Sequence, residues 1–300
     1  MYKKNLMYLV ASLRKVWEIS WEELQIIKEI GSGAFGVVHS AKWRDLSVAV
    51  KSVAGCHLAM NGNFAGSELD KEIAMLQQVR HSNIVLFFGA GTSPDGTPFL
   101  VTELVELGTL TSYLAHNRID WAKKMHFALD TTLGMAHVQS LGRMHRDLKG
   151  SNLLVSSSLR VKVADFGTAA IASHTMAPDS HDAHHVSRHR TQRTKGVGTP
   201  LWMAPEIIAG KAYGPSADVY SFGIVMWEIA AQAVPWTDVP DSNFFMSKLL
   251  ELITEEVRPP VDPAWPSAYS SLMARCWATL PSARPSFFEA RAELEKLVGK

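Results

Sequence analysis

Three polar side chains in the middle of the chain have the types and spacing that phosphoryl transfer requires. Asp147 and Asn152 lie in the stretch HRDLKGSN (residues 145–152), and Asp165 opens the stretch DFG (residues 165–167). One carboxylate can orient an attacking hydroxyl, whereas an amide oxygen and a second carboxylate are ligands that Mg²⁺ accepts. The set predicts transfer of a phosphoryl group from ATP to a hydroxyl, with Asp147 as the base and Lys149 neutralising the γ-phosphate. Asn152 and Asp165 would bind Mg²⁺, with Mn²⁺ as an alternative.

A glycine-rich stretch near the start of the chain is a candidate binding loop for the phosphates of ATP. Glycine allows backbone N–H groups to approach phosphate oxygens where a Cβ atom would clash. The same spacing also occurs in dinucleotide-binding folds, but those need a helix after the loop, and the sequence from Val37 onward is strand-like. The residues predicted to bind nucleotide here are Gly31, Ser32, Gly33, Ala34, Phe35 and Gly36.

A lysine follows this loop after about one strand. Lys51 ends the stretch VAVK (residues 48–51) and would reach the α- and β-phosphates. A lysine on a buried strand needs an anionic partner. The next helical segment offers Glu68 and Glu72, one turn apart on the same face.

The elements that must position these residues change in character along the chain. Apolar alternation and turn signals predict strands within 24–30, 37–50, 84–88 and 99–104, with one helix over 64–79. After Gly108, helical spacing predicts helices over 110–114, 121–141, 217–231, 244–253, 269–278 and 287–298. The sequence therefore predicts an α+β protein with three parts: an N-terminal extension (1–21), a β-rich lobe (22–104) and a mostly α-helical lobe (105–298).

Composition excludes several other classes of protein. The chain has 300 residues with 47% apolar and 20% charged residues, which is ordinary globular composition. A formal charge of +1 gives no field that would recruit nucleic acid, and two cysteines are too few for a disulfide framework. We therefore expect a cytoplasmic protein with no nucleic-acid partner.

A short apolar run lies near the N-terminus. The run over 6–13 is shorter than a bilayer of about 30 Å requires, so we expect no membrane span within this chain. It is predicted to be a short amphipathic helix. The alternative is a juxtamembrane piece of a longer, membrane-linked protein.

Further motifs give the chain a family resemblance. They are GTPLWMAPE (198–206), DVYSFG (218–223) and Arg284-Pro285. Together with the motifs above, they make residues 22–297 resemble a protein kinase catalytic domain of the tyrosine-kinase-like group, close to the Raf and mixed-lineage kinases. The resemblance implies the bilobal kinase fold, with a small β-rich lobe carrying one main helix and an activation segment over 165–206.

The resemblance also implies roles for single residues. It favours Glu72 over Glu68 as the partner of Lys51 and makes Thr102 the small gatekeeper. Contacts with the adenine edge would come from the Glu103 carbonyl and the Val105 amide. The adenine ring would lie between Val38, Ala49 and Leu154. The implied structural contacts are His145 under Phe166, Asp218 with the catalytic loop, and Glu206 with Arg284.

The resemblance also bears on substrate preference and on regulation. Lys149 together with Thr199 is typical of kinases that act on protein Ser and Thr, with dual specificity toward Tyr as the lesser alternative. An activating phosphate on Thr191, Thr194 or Ser187, attracted by Arg146, would be placed by a second copy of the chain in a homodimer. The His-rich stretch 173–195 is predicted to be a mobile charged loop, with zinc binding as the alternative. Rival functions are a pseudokinase and a dimerising allosteric scaffold.

Overall fold

A computed structural model describes residues 17–33, 36–53, 68–166, 170–171, 199–237 and 245–299. The chain divides into two compact units. We call the first the sheet unit; it contains the described residues up to Arg80 together with Val85–Glu106. We call the second the helical unit; it contains His81–Ile84 and the described residues from Leu107 onward. Within these described ranges, no helix is long and apolar enough to cross a membrane.

The sheet unit is built on five antiparallel strands. Their bounds are β1 (Leu24–Gly33), β2 (Gly36–Trp43), β3 (Leu46–Val53), β4 (Phe87–Thr92) and β5 (Pro98–Glu103), and their order across the sheet is β1-β2-β3-β5-β4. Arg44 and Asp45 form the two-residue turn between β2 and β3, and both have positive φ, at 48° and 65°. Turns of this kind match the twist of a hairpin. One helix, α1 (Glu68–Gln78), precedes β4.

The chain before β1 lies against β4, and this contact explains where β4 begins and ends. The Ile19 N–H donates to the Ala90 carbonyl at 2.9 Å. A Cβ atom at Gly89 would lie 2.3 Å from the Trp17 carbonyl, and one at Gly91 would lie 2.1 Å from the Ile19 carbonyl. The close approach therefore requires glycine at both positions. Because glycine weakens a strand signal, the sequence prediction placed this strand too early, over 84–88.

The helical unit contains seven helices in its described part. They are α2 (Leu110–His116), α3 (Trp121–Ser140), α4 (Pro205–Ile208), α5 (Ser216–Ala231), α6 (Phe245–Thr254), α7 (Ser267–Cys276) and α8 (Phe287–Val298). Four short strands form two antiparallel pairs in this unit. Strand β6 (Arg143–Met144) pairs with β9 (Ala170–Ile171), and β7 (Leu153–Val155) pairs with β8 (Val161–Val163). Helix α5 is central, since every residue over 217–230 is buried. Side-chain caps begin α3 at Asp120 and α8 at Ser286, where Glu289 completes a capping box.

Residues His81–Ile84 pack within the helical unit although they lie between two elements of the sheet unit. The Asn83 side chain donates to the Val161 carbonyl at 3.0 Å, and the Asn83 carbonyl accepts from the Val163 N–H at 2.8 Å. A Cβ atom at Gly134 of α3 would lie 2.6 Å from the Asn83 carbonyl oxygen, so glycine permits this approach. The predicted α+β organisation, a β-rich part followed by a mostly helical part, is confirmed.

Candidate active site

The backbone beside Asp147 is anchored by a buried carboxylate on α5. The N–H groups of His145 and Arg146 both donate to Asp218, each at 2.8 Å. Asp218 is 3% exposed. Burial raises the pKa of its carboxyl group, while the two N–H donors and the neighbouring Arg146 side chain oppose that rise. Arg146 adopts φ = 68°, a strained conformation that this anchor can maintain. The predicted link between Asp218 and the catalytic loop is confirmed.

Asp147 contacts two of the residues predicted to act with it. Lys149 Nζ lies 2.7 Å from Asp147 Oδ2. The Asn152 side-chain nitrogen donates to the same oxygen at 2.9 Å and to the Asp147 carbonyl at 2.7 Å. All three residues are buried, so their side chains are held in one arrangement. The structure therefore brings Asp147, Lys149 and Asn152 together around one carboxylate.

The neighbours of His145 determine which ring nitrogen carries its proton. Nε2 lies 2.9 Å from the Ala164 carbonyl, which can only accept, so Nε2 must carry a hydrogen. Nδ1 accepts from the Asp147 N–H at 3.3 Å, so it carries none. The ring centroid lies 5.0 Å from that of Phe166, which confirms the predicted packing. The neutral ring thus links Asp147 to the residue before Asp165.

Asn152 and Asp165 are placed by the β7–β8 pair. Asn152 immediately precedes β7, Asp165 follows β8, and the Ala164 N–H donates to the Asn152 carbonyl at 2.9 Å. Asp165 adopts φ = 60°, a conformation that is rare outside glycine and that occurs at functional sites. Because the amide nitrogen of Asn152 faces Asp147, its amide oxygen is the atom that can bind a cation. One amide oxygen and one carboxylate fit Mg²⁺, which commonly keeps few protein ligands and completes its shell with water and phosphate oxygens.

Several of the predicted nucleotide-binding residues of the sheet unit lie on its three central strands, β2, β3 and β5. Lys51 of β3 is paired in register with Val38 of β2 and Leu100 of β5, and Ala49 is paired with Thr102. The Glu103 carboxylate accepts from the Leu86 N–H at 2.8 Å, so it fixes the end of β5. Their contacts with a nucleotide stay predictions.

The other predicted nucleotide residues are placed as follows. Gly31, Ser32 and Gly33 end β1, Gly36 begins β2, Val105 is buried after β5, and Leu154 lies in β7 of the helical unit. Glu72 lies in α1, but its side chain is outside the described residues, as are Ala34 and Phe35. The pairing of Lys51 with Glu72 therefore also stays a prediction.

A buried ion pair supports the segment that follows Thr199. The Arg284 guanidinium donates to both oxygens of Glu206, at 2.7 Å and 2.8 Å. Its remaining N–H groups donate to the carbonyls of Ser216, Ala278 and Thr279. Every N–H of this guanidinium thus has an acceptor. The predicted pairing is confirmed.

Sequence reasoning missed one buried carboxylate, Glu228. It is 1% exposed, accepts from the Thr111 hydroxyl at 2.5 Å and from the Trp202 indole at 3.1 Å, and also accepts from the Gly150 N–H. Burial raises its pKa from 4.5 to about 7, although these three donors oppose the shift. The available signal was one ionisable residue inside the otherwise apolar stretch 222–231 of α5.

The proposed regulatory residues are not described. Ser187, Thr191, Thr194 and the His-rich stretch 173–195 lie outside the described residues. Arg146, the predicted partner of a phosphate, lies with its guanidinium carbon 5.6 Å from the centre of the Tyr213 ring.

Comparisons with known proteins assign the family. The profile of the family described as protein tyrosine and serine/threonine kinase matches residues 24–294. The chain is 37% identical over 289 residues to the probable serine/threonine-protein kinase drkD of Dictyostelium discoideum, covering 95% of this chain and 20% of that protein. It is 35% identical over 289 residues to the dual specificity protein kinase shkC of the same organism, covering 94% of this chain and 53% of that protein. The chain thus spans between about a fifth and about half of these two relatives. It belongs to the protein tyrosine and serine/threonine kinase family.

Proposed function

We propose that this chain is an ATP-dependent protein kinase that transfers the γ-phosphoryl group to Ser and Thr hydroxyls of protein substrates. The observation that carries the proposal is the buried cluster in which Lys149 and Asn152 both contact the Asp147 carboxylate. Family membership and relatives described as serine/threonine-protein kinases support it. The pseudokinase alternative is disfavoured because Lys51, Asp147, Asn152 and Asp165 are all present.

The cluster gives each side chain a part in the reaction. Asp147 orients the attacking hydroxyl and accepts its proton, while Asn152 and Lys149 hold the carboxylate in place. Lys149 also offsets the negative charge on the transferred group. The Asn152 amide oxygen and the Asp165 carboxylate hold Mg²⁺, or Mn²⁺ in its place. When bound, this cation neutralises phosphate oxygens.

We assign nucleotide binding to the predicted residues of the sheet unit and to Leu154. The glycine loop would bind the phosphates through Gly31, Ser32, Gly33, Ala34, Phe35 and Gly36. Lys51, paired with Glu72, would bind the α- and β-phosphates. The adenine would contact Val38, Ala49, Thr102, Glu103, Val105 and Leu154. Strand β3 is hydrogen-bonded to β2 on one side and to β5 on the other, which supports a fixed position for Lys51.

Dual specificity is the second candidate for the substrate class. Lys149 and Thr199 favour Ser and Thr. Two of the relatives, shkC and shkA of Dictyostelium discoideum, are described as dual specificity protein kinases, at 35% and 34% identity. These relatives make activity toward Tyr worth measuring.

The cellular location, the domain context and the oligomeric state of the kinase are also proposals. We place it in the cytoplasm, where ATP is available, as a domain of a longer protein, because the chain spans a fraction of its relatives. Its proposed parts are the lobes 22–104 and 105–298. A homodimer would phosphorylate the activation segment in trans at Thr191 or Thr194.

A peptide library tests the proposed activity. The chain is incubated with ATP, Mg²⁺ and degenerate peptides that contain Ser, Thr or Tyr, and mass spectrometry identifies the modified residues. We expect phosphoserine and phosphothreonine, and loss of both in Asp165→Asn, which removes the carboxylate ligand. Equal labelling by wild type and Asp165→Asn would refute the assignment of Asp165. Phosphotyrosine at a comparable level would instead favour dual specificity.

A further inference from the structure

Glu228 joins three segments of the helical unit at one buried point. Thr111 lies on α2, Gly150 lies in the turn after Asp147, and Trp202 follows Thr199. The donors from these segments are a hydroxyl, a backbone N–H and an indole N–H, and all three point at one carboxyl group. Hydrogen bonds to a buried carboxylate are stronger than those between neutral groups, and losing the acceptor leaves buried donors unsatisfied.

The contact at Gly150 is close. A Cβ atom at this position would lie 2.2 Å from Glu228 Oε1 and 2.5 Å from the Thr111 hydroxyl. Gly150 begins the 3₁₀ turn Gly150–Asn152, in which the Asn152 N–H donates to the Lys149 carbonyl at 2.9 Å. The Glu228 carboxylate therefore contacts a turn that begins directly after Lys149 and ends at Asn152, the two residues that contact the Asp147 carboxylate.

The contact at Trp202 reaches a second functional segment. Trp202 ends the 3₁₀ turn Thr199–Trp202, and its carbonyl accepts from the Ser221 hydroxyl at 2.8 Å. Ser221 and Glu228 both belong to α5. The indole and the carbonyl of Trp202 are thus held by the same helix that anchors the catalytic loop through Asp218.

We propose that Glu228 is a positioning residue for phosphoryl transfer: it holds the Gly150–Asn152 turn, and with it Lys149 and Asn152, in the arrangement around Asp147. The inference rests on the proposed kinase activity. Glu228 does not touch a reacting group, so it acts through the turn and through the Trp202 segment.

The charge of Glu228 matters because only the ionised form can accept from all three donors without presenting a proton to one of them. Since its pKa lies at about 7, activity should rise with pH through neutrality. The groups that face the carboxyl are the Thr111 hydroxyl from α2, the Gly150 N–H from the catalytic turn and the Trp202 indole.

Glu228→Gln tests the proposal, because the amide keeps the size of the side chain but presents donors where an acceptor is needed. We expect kcat to fall about tenfold or more, as loss of a hydrogen bond to a charged group implies. The KM for ATP should stay within about twofold. The wild-type rise of kcat through neutral pH should be absent in the variant. Glu251→Gln is the matched control, because Glu251 is an exposed residue of α6 paired with Lys248, and it should leave kcat unchanged.

Hydrogen exchange gives a readout that does not depend on activity. In Glu228→Gln, amide exchange should rise about tenfold in peptides containing Gly150 and Trp202 and stay unchanged in α8. Thr111→Val and Trp202→Phe each remove one donor, and smaller changes in the same two peptides are expected. These two variants keep the test usable if Glu228→Gln does not fold.

The outcomes separate this inference from the proposed function. A wild type without phosphotransfer would refute the kinase proposal, while the exchange pattern would still test the positioning of the turn. Unchanged exchange at Gly150 with kcat within twofold of wild type would overturn the role of Glu228. A uniform rise in exchange that includes α8 would also overturn it, because Glu228 would then support the whole unit rather than the turn.

Discussion

The pair formed by Arg284 and Glu206 allows a prediction that depends on geometry rather than on charge. Replacing Arg284 by Lys keeps the positive charge but reduces the N–H donors from five to three and removes the planar fork. In the structure, those five donors serve both carboxylate oxygens of Glu206 and three backbone carbonyls. At least two of these five acceptors, which are buried or partly buried, would therefore lose their partner.

The magnitude follows from these lost partners. An unsatisfied buried polar group costs about 1–3 kcal/mol, so Arg284→Lys should lower the free energy of unfolding by about 2–4 kcal/mol. Arg284→Met, which leaves Glu206 charged and buried without a partner, should lower it by about 3–5 kcal/mol. Since domains are stable by about 5–15 kcal/mol, both losses are large.

Urea unfolding followed by circular dichroism measures the effect. Arg291→Lys is the matched control, because Arg291 forms an exposed pair with Glu295 one turn away on α8, and such pairs contribute about 0.3–0.5 kcal/mol. If Arg284→Lys shifted the unfolding free energy by no more than Arg291→Lys, the buried fork would not be the source of stability.

Three further variants test other parts of the structure. Gly134→Ala should lower the free energy of unfolding by about 1–3 kcal/mol, because its Cβ would lie 2.6 Å from the Asn83 carbonyl oxygen; thermal unfolding measures this loss, and an unchanged midpoint would contradict the close approach. Glu228→Gln should change the pH dependence of stability. Burial raises the pKa of Glu228 from 4.5 to about 7, because the folded state favours the neutral carboxyl group. The stability that results is therefore full below pH 4.5 and is lost as pH rises through about 7. Relative to the variant, wild type should lose about 3 kcal/mol between these values, and parallel curves in urea titrations would refute the shift. Lys51→Met should reduce turnover by orders of magnitude while circular dichroism stays native, and full turnover would remove Lys51 from the proposed site.

The longer helices were predictable because their signals are local, whereas the four-residue helix α4 was not predicted. The apolar spacing of α8 predicted its bounds as they are observed, and α5 was predicted to within one residue at its start. Strand β4 was misplaced because its two glycines carry no strand signal alone. Glycine is required at both positions because the chain before β1, which is distant in sequence, approaches β4 closely.

The candidate site was predictable where its residues are close in sequence. Asp147, Lys149 and Asn152 lie within six residues, and the structure brings them together. Glu228 was missed because its partners on α2, in the catalytic turn and at Trp202 meet only when the helical unit folds. A helix buried on all sides gives no periodic signal that would single out one carboxylate.

The most direct test of the central claim compares wild type with Asp147→Asn under two measurements. Calorimetry gives the affinity for ATP in the presence of Mg²⁺, and transfer of labelled phosphate to Ser and Thr peptides gives kcat. Because Asp147 is proposed to act on the hydroxyl, the affinity for ATP should stay within about twofold while kcat falls by about 10²–10⁴. Undiminished transfer by Asp147→Asn would contradict the account, since the carboxylate that Lys149 and Asn152 hold in place would then have no part in the reaction.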